Sequence, residues 1–348
     1  MATGSTRKDL FGSNKFRVQK FKVQSSMLAF LKLIRIQNLL IIAFTQYVVR
    51  WCIVYPIIKI NSAYYELQLS EFKFFLLVLS TVMIAAAGYV INDYFDVNID
   101  KVNKPQRLVI GKGIKRRVAI GAHTVINFIA VAIAFYVSYS IGSLRLALVH
   151  FLCAAGLWIY STNFKRQFFI GNFVIALFTA LVPLIAVVYD MIPIYRQYIP
   201  IEEHLSFRSV WEYTFGLSFF AFITTLLREI IKDMEDVDGD REFGCKTMPI
   251  VLGIKVSKNI AIAFAIITLA SLGFLQSQFW KIDDMNSFIY FIIALELPLI
   301  FLIYKIKTAQ EKQQFRFAGN LSKFIMLMGI CYLLLFAYPI LHDFLHAI

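Results

Sequence analysis

The sequence predicts an all-α, polytopic membrane protein with nine transmembrane helices, and three observations predict it. Hydrophobic residues make up 59% of the chain and charged residues only 16%, against about 25% charged in an ordinary soluble domain. The mean hydropathy is +0.67, too high for a soluble protein of 348 residues to hide its apolar surface, so lipid is the solvent for most of the chain. Nine apolar runs reach or approach the roughly 20 residues that a helix needs to cross hydrocarbon. Backbone in lipid must satisfy its own hydrogen bonds, and no ten-residue alternation points to a barrel, so the runs are read as helices.

The first run, 27–58, follows a polar, basic segment over 1–26. That segment has no apolar stretch ending in a small-residue cleavage site, so no removable leader is expected. The second run, 72–91, ends in an acidic segment. The third and fourth, 118–141 and 143–160, are joined by a tight Gly142-Ser143 turn. The fifth, 169–190, precedes the longest outer loop, 191–209. The sixth, 210–228, again ends in an acidic segment, four spans after the first, which hints at two related four-helix halves. The runs 250–276, 287–304 and 322–345 complete the set. No linker divides them, so the expected organisation is a basic segment, 1–26, and one membrane domain, 27–348.

Charge orients the bundle. The N-terminal segment and every alternate loop with its flanks carry most of the 35 lysines and arginines, while only Lys59, Lys73, Arg145, Arg196, Arg208 and Lys281 fall to the other side. Positive residues stay inside, which puts the N-terminus and those loops in the cytoplasm and, with nine spans, the C-terminus outside. The net charge of +13 is therefore read as membrane orientation and not as a nucleic-acid face. Cys52, Cys153, Cys245 and Cys331 form no CxxC pair and are read as reduced fillers, with Cys245 the one near a charged motif. Glu296, inside the eighth run near Pro298, is read as a kink or interhelical hydrogen bond as readily as a substrate group.

Ten of the 22 acidic residues fall in two windows, 92–100 and 229–242. In the first, Asn92, Asp96 and Asp100 stand at i, i+4 and i+8, on one face of a continuing helix. In the second, Asp233, Asp236 and Asp240 stand at i, i+3 and i+7 unless Gly239 breaks the helix first. Both windows leave even-numbered spans, so both emerge on the cytoplasmic side. Two acidic clusters on one face disfavour ionisation unless something compensates. Hard divalent cations with oxygen ligands do so, and leave positions for a diphosphate. Arg35 and Asn38 in the first run, Lys104 and Arg107 after the first window, Tyr160 at the end of the fourth run with Lys165 and Arg166 after it, and Arg228 just before and Lys232 within the second window share that side. They could converge on one phosphate cavity or serve as ordinary positive-inside anchors.

At these residues the chain resembles the UbiA superfamily of intramembrane prenyltransferases. That family carries N-D-x-x-D-x-x-x-D after its second helix and D-x-x-D-x-x-G-D after its sixth, patterns found here at 92–100 and 233–240. The segments Val90 to Pro105 and Arg228 to Ile250 look most like the digeranylgeranylglyceryl phosphate synthase branch, although Leu108 stands where the family commonly has proline. The resemblance implies a UbiA-like bundle in which Asn92, Asp96, Asp100, Asp236 and Asp240 hold Mg²⁺, with Asp233 in support. It implies a prenyl diphosphate donor, geranylgeranyl diphosphate on this branch, bound with help from Arg35, Asn38, Lys104, Arg107, Tyr160, Lys165, Arg228 and Lys232. The implied acceptor is a lipophilic molecule, geranylgeranylglyceryl phosphate, with aromatic precursors of quinones as the alternative. The implied chemistry is electrostatic and Lewis-acid help to departing diphosphate, with the tail in an apolar channel; Tyr94, Phe95, Tyr160 and Phe164 are candidates for its wall, and ordinary packing or lipid-facing aromatics otherwise. A cation-coupled transporter is the rival of another class, disfavoured because the acids gather at one face and not near the midplane.

Overall fold

Lipid as solvent leaves its mark on the computed structural model, which describes residues 27–62, 64–106, 108–198 and 207–346. Among them, nine helices are long and apolar enough to cross a membrane. They are α1 (Ile36–Asn61), α2 (Glu71–Asn103), α3 (Arg116–Ser140), α4 (Arg145–Thr162), α5 (Ile170–Tyr198), α6 (Arg208–Glu235), α8 (Ile254–Lys281), α9 (Met285–Thr308) and α10 (Lys312–His346). A short α7 (Val237–Glu242) follows α6. The basic segment 1–26 and Arg107 lie outside the described residues.

The helices run longer than the apolar runs that announced them. Ser70 caps α2, its hydroxyl accepting from the Lys73 N–H at 3.4 Å with Glu71 in the first turn. From there α2 continues for 33 residues, about 50 Å at 1.5 Å per residue, more than hydrocarbon requires. Its last three turns, which carry the first acidic motif, therefore stand beyond the apolar stretch. Likewise α5 runs on to Tyr198 through Pro183 and Pro193, so the first half of the expected outer loop 191–209 is helix.

Breaks in the helices have local causes. The first apolar run is not one helix: residues 27–33 are helical, but Arg35 adopts φ 53° and ψ 56°, the left-handed region, and α1 starts after it. In α1 the π turn Arg50–Val54 precedes Pro56, and in α9 the π turn Phe291–Glu296 precedes Pro298. Each proline ring would meet the carbonyl four residues back, and widening the turn avoids that clash. Glu296 closes the second of these turns, which accords with its reading as a kink residue.

The two largest apolar cores join the bundle. One packs Val48–Ile58 of α1, Phe74 and Leu77 of α2, Tyr189 and Met191 of α5 and Val210 of α6. The other packs Leu226–Met234 of α6 with Ala261 of α8, Leu299 of α9 and Phe315 of α10. α6 belongs to both and ties the halves together. Large apolar side chains such as Phe128, Phe274 and Trp280 face outward, as a lipid-facing surface requires. Among the described residues no strand forms; Ile110 and Ile114 make a lone bridge.

Candidate active site

The register of α2 sets the first motif. Because the helix stays regular to Asn103, Asn92, Asp96 and Asp100 share one face, as their spacing requires. Asn92 Nδ2 donates to Asp96 Oδ2 at 2.9 Å, and both residues are buried. A short 3₁₀ turn, Phe164–Arg166, brings Lys165 in from the end of α4. Its Nζ donates to Asn92 Oδ1 at 3.2 Å and pairs with Asp96 Oδ2.

The second motif departs from its expected form. α6 ends at Glu235, Asp236 takes φ −98° and ψ 7°, and α7 begins at Val237. The break therefore falls three residues before Gly239, and Asp233, Asp236 and Asp240 do not share one helix. Asp233 stays on α6 and accepts from Asn172 Nδ2 of α5 at 2.8 Å. Asp236, at the junction, accepts from Lys104 Nζ at 2.6 Å. Asn103, the last residue of α2, donates to the Asp236 carbonyl at 2.9 Å and accepts from the Gly239 N–H at 3.0 Å. Glycine is required there, since a Cβ on residue 239 would come within 2.5 Å of Asn103 Nδ2. Thus one amide fastens the second motif to the end of the first. Sequence reasoning gave weight to the charge of Lys104 and passed over Asn103, whose role depends on partners far away in the chain.

Beside this junction lies a cavity of about 280 Å³. Arg35, Asn38, Asn92, Tyr160, Arg228 and Lys232 line its polar end, joined by Glu229 and Lys323. Ile41, Ile84, Leu157, Phe178 and Leu217 line its apolar reach. The left-handed backbone of Arg35 is the kind of local strain that packing holds at functional sites. Its guanidinium donates to Asp93 Oδ1 at 2.8 Å and lies 4.8 Å from the Tyr89 ring centre. Arg228 and Lys232 both pair with Glu229, at 2.5 and 3.5 Å. Asp93, Glu229, Asn172 and Lys323 were not foreseen as site residues; a charge inside an apolar run is the signal that marks Lys323.

Of the four candidate wall aromatics, Tyr160 alone lines the cavity. Tyr94 lies under Arg116, and Phe95 packs edge-on against Trp158. Phe164 is not part of the lining. Cys245 is buried, and burial pushes its thiol up, so it is no exposed nucleophile.

The charges of the junction are mutually dependent. Burial opposes the Lys165 charge, but Asp96, Tyr160 and Asp100 outweigh it and hold the ammonium above its usual range. Burial lowers Lys104 in spite of Asp236. Asp240 is pushed up to about 6, first by burial, with the Asp236 and Asp96 carboxylates adding to it against Lys165 and Lys232. Among the described residues no three acidic, histidine or cysteine side chains converge as a ready-made metal cluster; lysines hold Asp96 and Asp236 instead. The donors nevertheless suit a hard divalent cation. All are oxygens, and Asp236 Oδ1 is buried with no hydrogen-bond partner.

The family described as the UbiA prenyltransferase family matches residues 60–328. The chain belongs to the UbiA prenyltransferase family. It is an integral membrane prenyltransferase. The digeranylgeranylglyceryl phosphate synthase of Methanosphaera stadtmanae is 29% identical over 239 residues, 69% of this chain and 77% of that protein. That of Methanobrevibacter smithii is 31% identical over 259 residues, 72% and 84%. The UbiA fold extends to solved structures. One, from work on digeranylgeranylglyceryl phosphate synthase in membranes, gives a TM-score of 0.53 at 22% identity, covering 88% of this chain and 98% of that one. A UbiA homologue from Archaeoglobus fulgidus bound to DMAPP and Mg²⁺ gives 0.51 at 14%, covering 87% and 98%.

Proposed function

We propose that this UbiA-family enzyme transfers a geranylgeranyl group from geranylgeranyl diphosphate to the free hydroxyl of geranylgeranylglyceryl phosphate, with Mg²⁺ as cofactor. The observation that carries the reading is the junction of Asn103, Lys104, Asp236 and Gly239, which joins two acidic motifs beside a cavity that is cationic at one end and apolar along the rest. The relatives named digeranylgeranylglyceryl phosphate synthase favour this acceptor, and the archaeal homologue bound to DMAPP and Mg²⁺ favours the donor class and the metal.

Asn92, Asp96, Asp100, Asp236 and Asp240 would hold Mg²⁺, with Asp233, fixed by Asn172, in support. When bound, the metal supplies Lewis-acid neutralisation of the diphosphate. The chain's own residues do the rest. Arg35, Arg228, Lys232 and Lys165 surround the diphosphate with fixed positive charge, which stabilises the negative charge that grows as the allylic C–O bond breaks. Lys104 flanks the same site through Asp236. The apolar walls take the isoprenoid tail and keep water from the allylic cation, which the acceptor hydroxyl then attacks, giving up its proton to the departed diphosphate. Tyr160 presents its ring to the cavity, where its face favours positive charge, and Asn38 orders the neighbouring groups. The membrane domain spans 27–348, with residues 1–26, the motifs and the N-terminus on the cytoplasmic side.

The test is product formation by purified protein in liposomes, with labelled geranylgeranyl diphosphate, Mg²⁺ and either geranylgeranylglyceryl phosphate or an aromatic quinone precursor. The expected result is a Mg²⁺-dependent diether product with the glyceryl phosphate alone. Transfer to the aromatic acceptor in its place would move the enzyme to the quinone branch.

A further inference from the structure

Most cations around the junction have a carboxylate, Lys312 having the Asn103 amide oxygen at 3.5 Å in its place, and among the cations of the cavity wall one has none. Lys104 meets Asp236, Lys165 meets Asp96, Lys232 meets Glu229, and Arg316 of α10 meets Glu235. Lys323, also on α10, meets no carboxylate within ion-pair distance among the described residues. It donates to Asn38 Oδ1 at 3.1 Å, and Asn38 Nδ2 donates in turn to the Tyr89 hydroxyl at 3.1 Å. Asn38 thus has its amide orientation set, with its oxygen toward the lysine. Lys323, Met326, Leu327 and Ile330 line the cavity at i, i+3, i+4 and i+7. On that stripe of the helix the lysine is the one charge, and its neighbours are apolar.

An ammonium without a counter-ion, turned into a cavity within a membrane helix, is unfavourable unless an anion visits it. The lining as a whole says the same. It holds Arg35, Arg228, Lys232 and Lys323 against the single carboxylate of Glu229. The proposed reaction brings two separate anionic groups to this cavity. The donor's diphosphate belongs at the acidic motifs, which α10 meets through Lys312, bonded to Asn103, and Arg316, paired with Glu235, seven or more residues before Lys323. The acceptor's phosphate is not displaced and takes no part in the bond change, so it needs its own positive partner where dielectric screening is weak.

We propose that Lys323, positioned by Asn38, is the anchor for the acceptor's phosphate monoester and selects a phosphorylated lipid alcohol over its unphosphorylated form. The inference rests on the proposed prenyl transfer to a phosphorylated acceptor and adds the residue that recognises it.

The test is steady-state kinetics in liposomes with geranylgeranyl diphosphate as donor and a matched pair of acceptors, geranylgeranylglyceryl phosphate and geranylgeranylglycerol. Lys323→Gln is expected to raise KM for the phosphorylated acceptor by about tenfold or more, the effect of losing one charge-assisted contact. KM for the donor and turnover of the unphosphorylated acceptor should stay as in the wild type. Lys323→Arg should recover most of the loss, and Asn38→Ala, which leaves the lysine charged but unplaced, should give a smaller shift in the same direction. A rise in donor KM in its place, or an equal loss with both acceptors, would overturn the proposal. So would an unchanged acceptor KM in Lys323→Gln while the wild type uses the phosphorylated acceptor. Wild-type protein that uses no phosphorylated acceptor at all would instead overturn the functional reading beneath it. Donor binding by each variant, measured in parallel, reports whether the fold is kept.

Discussion

Single side chains in this site are arranged around charges that compensate one another. Lys104 is the partner of Asp236, and both are largely buried at 18% and 14% exposed. Removing one member of such a pair strands the other. Lys104→Ala is therefore expected to destabilise the protein in chelator by roughly 3 kcal/mol. Mg²⁺ should restore more stability to the variant than to the wild type, because a bound cation would replace the lost charge. Thermal unfolding in detergent with and without Mg²⁺ reads this directly; equal gains in both proteins would contradict it. Asp240 gives a pH dependence. Its carboxyl is pushed up to about 6 by burial and by its acidic neighbours, and a cation needs it deprotonated. Above that pH the group is charged and ready; as pH falls through it, a proton competes with metal. Mg²⁺ affinity should accordingly weaken between pH 7 and pH 5, which calorimetric titration at the two pH values would measure.

Elements matter here through where they stop. α2 carries the first motif because it continues past the hydrocarbon to Asn103, and α6 releases the second because it stops at Glu235. Asn103 connects the two ends by accepting from Gly239 and donating to the Asp236 carbonyl. Asn103→Ala should leave the buried Gly239 N–H unsatisfied, at about 1–3 kcal/mol, while the Asp236 carbonyl keeps the Asp240 N–H, and lower kcat along with Mg²⁺-dependent donor affinity by misplacing Asp236 and Asp240. Gly239→Ala should do the same through the clash of its Cβ with the Asn103 amide. If either variant kept wild-type kcat, the connection would be incidental to catalysis. The first motif was legible in the sequence because a helix face repeats at i, i+4 and i+8, and lipid favours unbroken helix. The break at Asp236 was not, because it depends on packing against Asn103, a residue 133 positions away.

At the scale of the whole molecule, hydropathy and alternating loop charge foretold nine membrane helices, since lipid leaves backbone little alternative. Features that arise only from helices meeting were hidden. Arg35 in its left-handed turn, Lys323 facing Asn38, and the core pairing of Arg50 with Asp190 belong to that class. Arg50 and Asp190 are fully buried and 2.6 Å apart, with Leu69 O and Glu71 as further acceptors for the guanidinium. They lie apart from the cavity, in the core that joins α1, α2 and α5. Arg50→Met should destabilise the bundle by about 3–5 kcal/mol by leaving Asp190 alone, and Arg50→Met with Asp190→Leu should lose less than the single change. Unfolding of the three proteins in detergent checks this, and a double variant weaker than the single would contradict it. The central claim, that two motifs make one metal-dependent donor site, is tested most directly by binding of geranylgeranyl diphosphate in the presence of Mg²⁺. Wild type, Asp96→Ala, Asp236→Ala and the double variant would be compared. If the motifs form one site, each single variant loses nearly all metal-dependent binding and the double loses little more. If the losses add as independent terms, or either variant keeps wild-type affinity, the two motifs do not work as one site.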